Sequence, residues 1–200
     1  MIYKKYVKRI FDLILSIALL PIILVISIPI AILIKMEDKG PVFYKGKRLG
    51  KDMKPFAMYK FRSMKVNAPD IRNEDGSTYN AEDDPRMTSI GKVLRKTSLD
   101  ELPQIFNVIN GTMSFIGPRP SPLGNESLYS KEYLQKFKIR PGITGYNQAL
   151  LRNSATMEER WKNDIYYTKH LSFLLDLKII FLTIKSVILK KNIYRNEGKK

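Results

Sequence analysis

The chain has 200 residues, enough for one ordinary domain, and 44% of them are hydrophobic, enough to bury a core. Its 35 Lys and Arg residues stand against 19 Asp and Glu, a formal charge of +16 that calls for an anionic partner: nucleic acid, a membrane surface or a phosphorylated substrate. With no Cys and a single His, His170, it excludes disulfides, thiolate zinc sites, cysteine nucleophiles and multi-histidine metal sites.

Residues 13–34 carry no charge, and about 20 such residues suffice to cross a bilayer as a helix. A cleavable signal peptide is rejected, because the run is too long and no small-x-small cleavage pattern follows Ile34. Two membrane arrangements fit. A straight single-pass anchor puts Lys4, Lys5, Lys8 and Arg9 on one side and Lys35, Lys39, Lys45, Lys47 and Arg48 on the other. Basic flanks prefer the cytoplasm, so a straight span satisfies only one end. A re-entrant helix, broken at Pro21 and Pro29 and returning to the face it entered, keeps both flanks on one side. Each proline lacks an N–H and clashes with the carbonyl four residues back, and Ser16 and Ser27 can re-satisfy the freed groups. Composition leaves the two level; the flanking charges lean towards re-entry.

Further along, Pro41-Val-Phe-Tyr-Lys45 and Pro55-Phe-Ala-Met-Tyr-Lys-Phe61, around a turn at Leu49-Gly-Lys-Asp52, read as a small β-hairpin. Residues 67–84 hold Asp70, Glu74, Asp75, Glu82, Asp83 and Asp84 and read as a solvated acidic loop, since the spacing does not match a calcium loop. Helices are expected over 90–95 and 101–108. Thr156-Met-Glu-Glu159 is a capping box opening a third, with Met157, Trp161 and Ile165 as an apolar packing stripe. His170, at its end, is structural or complements the helix dipole. Residues 171–189 form a strongly apolar helix with Ser172, Asp176, Thr183, Ser186 and Lys190 on one face and Lys178 and Lys185 opposite. It fits an interfacial helix with snorkelling lysines or a core helix. The fold class is α+β, predominantly helical, in a single membrane-associated domain: membrane helix 1–36, catalytic part 37–190, basic and disordered tail 191–200.

Chemistry concentrates in Leu94-Arg-Lys-Thr-Ser-Leu-Asp-Glu-Leu-Pro103. Ser98-x-x-Glu101 is a capping-box pattern in which Asp100 merely complements the helix dipole, and on local pattern alone the cap is the stronger reading. Pro103 fits it poorly, because a start near Leu102 suits proline better. Gly117-Pro-Arg-Pro120 and Arg140-Pro-Gly-Ile-Thr-Gly145 each fix an arginine between rigid neighbours. Such an arginine loses little freedom on binding phosphate, and its fork matches phosphate oxygens. Either cluster alone can be a rigid turn with a solvated arginine. Both together, with Arg95 five residues before a carboxylate pair in a chain of formal charge +16, point to a phosphate-handling site.

Several of these motifs resemble, in order, those of the bacterial sugar transferases, the monotopic phosphoglycosyl transferases. They are Tyr59-Lys-Phe-Arg-Ser-Met64, Asp84-Pro-Arg86, Leu94-Arg95, Ser98-Leu-Asp-Glu-Leu-Pro-Gln104, Asn107-Val108, Gly111-x-Met-Ser114 and the two Pro/Arg clusters. The resemblance runs from Lys8-Arg-Ile-Phe-Asp12 to Leu175-Asp-Leu-Lys178. It implies a small member made of the catalytic unit alone, on the cytoplasmic face of the bacterial inner membrane. Such an enzyme moves a sugar 1-phosphate from a UDP-sugar to undecaprenyl phosphate, with Mg²⁺, releasing UMP at the first membrane step of glycoconjugate assembly. Asp100 is then the nucleophile, Glu101 its partner, and the two hold the metal, while Lys60, Arg95, Arg119 and Arg140 bind phosphate or nucleotide. Downstream glycosyltransferases, and a second copy of the chain, are the protein partners such an enzyme admits; nucleic acid is not. Two departures stand out: the family's Ser-Pro break is replaced by Leu20-Pro21 and Ser27-Ile-Pro29, and its Gly-Asp-Met-Ser by Gly111-Thr-Met-Ser114. The alternative mechanism is direct transfer with Glu101 as base. The alternative class is a membrane-tethered nucleic-acid-binding or scaffold protein using the +16 charge electrostatically.

Overall fold

The computed structural model describes residues 2–73, 79–152 and 154–189. Glu74 and Asp75 of the acidic loop, Lys190 and the tail 191–200 lie outside them. A π-helical turn, Tyr3–Val7, leads into α1, Lys8–Asp38, whose helical backbone carries through both Pro21 and Pro29. A change of direction at either is therefore a bend within a helix and not a loop. Ser27 Oγ donates to the Ile23 carbonyl at 2.6 Å, a back-bond of the kind that bends helices. Asp12, Ser16, Ile23, Ile30 and Ile34 are the buried side chains of α1; their spacing of four or seven puts them on one face. Ile14, Ile17, Val25 and Ile28 are exposed.

The hairpin forms as read, with β1 at Phe43–Leu49 antiparallel to β2 at Pro55–Phe61, Phe43 opposite Phe61. Then come α2 (Ser89–Thr97), a 3-10 turn (Leu99–Gln104) and α3 (Ile105–Ile109). Strand β3 (Ser114–Ile116) pairs in parallel with β5 (Gly142–Thr144), and the short β4 (Ser121–Pro122) joins the free side of β1 with Ser121 opposite Leu49. The close parallel pair explains one glycine: a Cβ on Gly142 would lie 2.1 Å from the Gly117 nitrogen. Helices α4 (Tyr146–Leu150), α5 (Met157–His170) and α6 (Phe173–Ile188) complete the body. Its main core gathers Ile116, Ile139, Ala149, Tyr167 and Ile179; a second core joins Ile30 and Ile34 of α1 to Phe61 and Leu94.

Both ends of α1 are fastened to this one body. At the N-terminal end Lys8 pairs with Asp176 at 2.6 Å. Arg9 donates to the Val108 and Ile109 carbonyls at 2.6 and 2.9 Å, and Asp12 accepts from Ser114 Oγ and the Phe115 N–H. At the C-terminal end the Asp38 carboxylate is paired with Arg62, and Glu37 accepts from the Ser89 and Ile90 N–H groups.

Three features refine or correct the sequence reading. In α5 the capping box of Thr156 and Glu159 is present as read; Asp164, Tyr167 and Thr168 are its buried side chains, while Met157, Trp161 and Ile165 are half-buried, Trp161 stacking on Tyr133 at 4.7 Å. In α6 the polar side faces inward. Asp176 accepts from Tyr3 Oη, Lys8 and Tyr167 Oη, each at 2.6 Å, and Thr183 bonds Thr144 at 2.8 Å. Leu174 and Phe181 point outward, 76% and 68% exposed. Finally, Asp84 of the supposedly solvated loop is buried in a multiply bonded pair with Arg86, Nη2 to Oδ2 at 2.7 Å. His170 stacks on Tyr166, its Nδ1 2.9 Å from the Tyr166 carbonyl, as a structural residue would.

Candidate active site

Helix α2 opens on Thr88, whose Oγ1 accepts the Gly91 N–H at 2.9 Å, and closes at Ser98, where φ is +60°. That left-handed residue ends one helix and begins the 3-10 turn, so the capping-box reading of Ser98 fails. Its hydroxyl accepts from Arg152 at 2.9 Å instead. Pro103 sits inside the 3-10 turn, which keeps Asp100 and Glu101 in its first turn.

Strand β2 runs alongside this turn because Asn107 holds it there. The Asn107 side chain accepts the Tyr59 N–H at 2.9 Å and donates to the Ala57 carbonyl at 2.8 Å. The next residue, Lys60, thereby reaches both carboxylates: its Nζ lies 3.3 Å from Asp100 Oδ2 and 2.5 Å from Glu101 Oε1. Arg95 is braced by Ser63 Oγ at 3.0 Å and Asn80 Oδ1 at 3.2 Å.

The two neighbouring carboxyls are pushed apart electrostatically. Burial raises the Asp100 carboxyl above its ordinary value; Lys60 opposes the rise, the Glu101 charge adds to it, and Arg95 opposes it again. Burial acts the same way on Glu101, but Lys60, Arg119 and Arg152 bring it below its ordinary value. Adjacent carboxyls driven in opposite directions are the mark of a pair with divided roles.

Of the residues expected from sequence, Lys60 thus bonds both carboxylates, Arg95 acts electrostatically on Asp100 and Arg119 on Glu101. Arg140 is engaged at the end of α3, donating from Nε to the Gly111 carbonyl at 2.7 Å. Pro21 and Pro29 lie within α1. Arg152 was missed: it follows an apolar Ala149-Leu-Leu151 stretch, and its charge alone gives no local signal.

Four cationic side chains, Lys60, Arg95, Arg119 and Arg152, act electrostatically on this recessed acidic pair, an arrangement that suits a phosphate-bearing anionic substrate. The family model of bacterial sugar transferases matches residues 3–190, and the chain belongs to that family. It is 38% identical to the sugar transferase EpsL of Bacillus subtilis (strain 168) over 93% of this chain and 89% of EpsL. It is 41% identical to a UDP-glucose:undecaprenyl-phosphate glucose-1-phosphate transferase of Klebsiella pneumoniae, over 94% of this chain and 41% of that protein. With a UDP-N-acetylgalactosamine-undecaprenyl-phosphate N-acetylgalactosaminephosphotransferase of Aeromonas hydrophila the identity is 36%, over 92% of this chain and 44% of the relative. The chain therefore spans less than half of the two longer relatives.

Proposed function

We propose that the protein transfers a sugar 1-phosphate from a UDP-sugar to undecaprenyl phosphate, releasing UMP, through a phosphosugar carried on Asp100. The observation that supports this most is the Asp100–Glu101 pair held by Lys60 and surrounded by Arg95, Arg119 and Arg152. The substrate classes come from the names of the Klebsiella and Aeromonas relatives. Family membership favours this enzyme over the nucleic-acid-binding alternative.

In the first step an Asp100 carboxylate oxygen bonds to the donor's β-phosphorus. The bond from that phosphorus to the bridging oxygen breaks, and its electron pair leaves on UMP. In the second step an oxygen of the lipid phosphate attacks the aspartyl phosphorus. The acyl-phosphate bond breaks, Asp100 is returned as a carboxylate, and the sugar is left on a lipid pyrophosphate. The arginines neutralise the donor's negative charge, which would otherwise repel the attacking carboxylate. Glu101, kept ionised, helps hold a cation at the pair. Two adjacent carboxylates fit Mg²⁺, which takes one or two carboxylates plus substrate oxygens and water; among the described residues no cluster of three or more ligand side chains forms. Asp100 and Glu101 would hold the ion, which screens pyrophosphate charge when bound.

The re-entrant arrangement of α1 at the cytoplasmic face belongs to the same proposal. A straight crossing separates the helix ends by about 30 Å of hydrocarbon, whereas Lys8, Arg9 and Asp12 at one end and Glu37 and Asp38 at the other all bond one polar body. The outward apolar side of α6 adjoins α1 where Phe173 meets Tyr3 and Phe11, and the two together suit a body resting on the lipid surface.

The test omits the acceptor. Enzyme incubated with UDP-sugars and Mg²⁺, but no polyprenyl phosphate, is expected to release up to one equivalent of UMP. Intact-mass measurement then finds a hexose-phosphate adduct that Asp100→Asn does not form. UMP release that occurs only with lipid phosphate, with no adduct, would replace the two-step route by direct transfer.

A further inference from the structure

Behind Arg119 lies a buried polar cluster that the proposed chemistry leaves unused. Lys136 is 4% exposed, and its ammonium donates to Tyr133 Oη at 2.6 Å, Asp164 Oδ2 at 2.9 Å and the Arg119 carbonyl at 3.0 Å. An ammonium has three N–H donors, so this one is fully committed. Burial works against its charge, and the Asp164 carboxylate and Tyr133 oxygen hold it protonated. Tyr133 is backed by Trp161 of α5, its ring stacked at 4.7 Å.

Stability alone explains the arrangement poorly, because a buried ion pair is often replaceable by apolar groups at no loss. The third bond is the informative one. Arg119 stands between Pro118 and Pro120, neither of which has an N–H. The peptide before it is fixed by β5, with Gly117 N–H on the Thr144 carbonyl at 2.9 Å and Gly142 N–H on the Pro118 carbonyl at 3.0 Å. The peptide after it is fixed by β4, through Ser121 opposite Leu49. Between these two anchors, the Arg119 carbonyl is held by Lys136.

We infer that Lys136, held by Asp164 and Tyr133, is a positioning residue for Arg119: it fixes the peptide from which the guanidinium reaches the donor's diphosphate. This rests on the phosphate role given to Arg119 above. The probe is UDP with Mg²⁺, titrated calorimetrically into the full chain in detergent, so that no sugar need be known. Lys136→Met alone strands the Asp164 charge and can unfold the body, so the variant is the neutral pair Lys136→Met with Asp164→Asn, its fold checked by circular dichroism. Arg119→Ala is expected to weaken UDP binding about tenfold, the size of one lost charge-assisted bond. The neutral pair is expected to do the same, and all three substitutions together to be no weaker than Arg119→Ala, since a positioning residue has nothing left to position. Losses that multiply, or a neutral pair binding like the parent, would overturn the positioning role while leaving Arg119 on phosphate. Parent-like binding by Arg119→Ala would overturn the phosphate role itself.

Discussion

Lys60 joins two carboxylates that would otherwise repel each other across a single peptide bond. It also pulls the Asp100 carboxyl down against the rise that burial imposes, which gives a pH prediction with a definite sign. A nucleophilic Asp100 must be ionised, so activity is lost as pH falls through its raised pKa. Lys60→Met removes the opposing charge, the Asp100 pKa climbs further, and the acid limb of kcat/KM is expected to move to higher pH. An acid limb that stays where it was would mean that Asp100 is not the group titrating there. How far single residues could be read from sequence is seen in two identical patterns. Thr156-x-x-Glu159 and Ser98-x-x-Glu101 have the same capping signature, and only the first caps a helix. The difference is made by Ser98's left-handed backbone and by Arg152, which is 54 residues away. Motif resemblance singled out Asp100, Glu101, Lys60, Arg95 and Arg119 separately, but that Lys60 bridges the two carboxylates and that Arg152 acts on Glu101 appear only with the fold.

At the scale of elements, α2 decides where Arg95 stands, and Gly91 decides where α2 stands. A Cβ at Gly91 would come within 1.9 Å of the Ser63 carbonyl, and the Ser63 hydroxyl is the one that braces Arg95. Gly91→Ala is expected to push α2 away from the end of β2, costing about 1–3 kcal/mol, the range for overpacking a tight contact. Its activity should fall together with its thermal unfolding temperature; a variant as stable and as active as the parent would show that the contact yields freely. The hairpin of β1 and β2 was legible because turn residues and β-prone runs act within twenty residues. Helix α6 was legible as a helix with its polar face, but not which side would be covered: that face turns inward to meet Tyr3, Lys8, Thr144 and Tyr167, and local amphipathicity cannot say which side the rest of the chain will cover. The buried Lys136–Asp164 pair escaped for the same reason: each residue reads as an ordinary surface charge until the other is placed.

For the whole molecule, the basic residues on both flanks of α1 and the fastening of both its ends to one body support the re-entrant arrangement proposed above. Cysteines introduced singly before Lys8 and after Lys35, into a chain that has none, are both expected to resist impermeant thiol reagents in intact cells. Labelling of one and not the other would establish a plain crossing. Pro21→Ala combined with Pro29→Ala should shift part of the population towards that crossing form, since both prolines interrupt the helical ladder.

The Asp176 junction also sets an order of events during synthesis. Tyr3 and Lys8 emerge first, yet the carboxylate that receives them lies 173 and 168 residues further on. At ribosomal speeds of about 5–20 residues per second, that is an interval on the order of 10 to 30 s. Throughout it Tyr3 and Lys8 are without that partner, although Arg9 and Asp12 meet theirs earlier, at residues 108–115. The N-terminal end of α1 is therefore fastened in stages, first through Arg9 and Asp12 and last through Tyr3 and Lys8, when α6 docks.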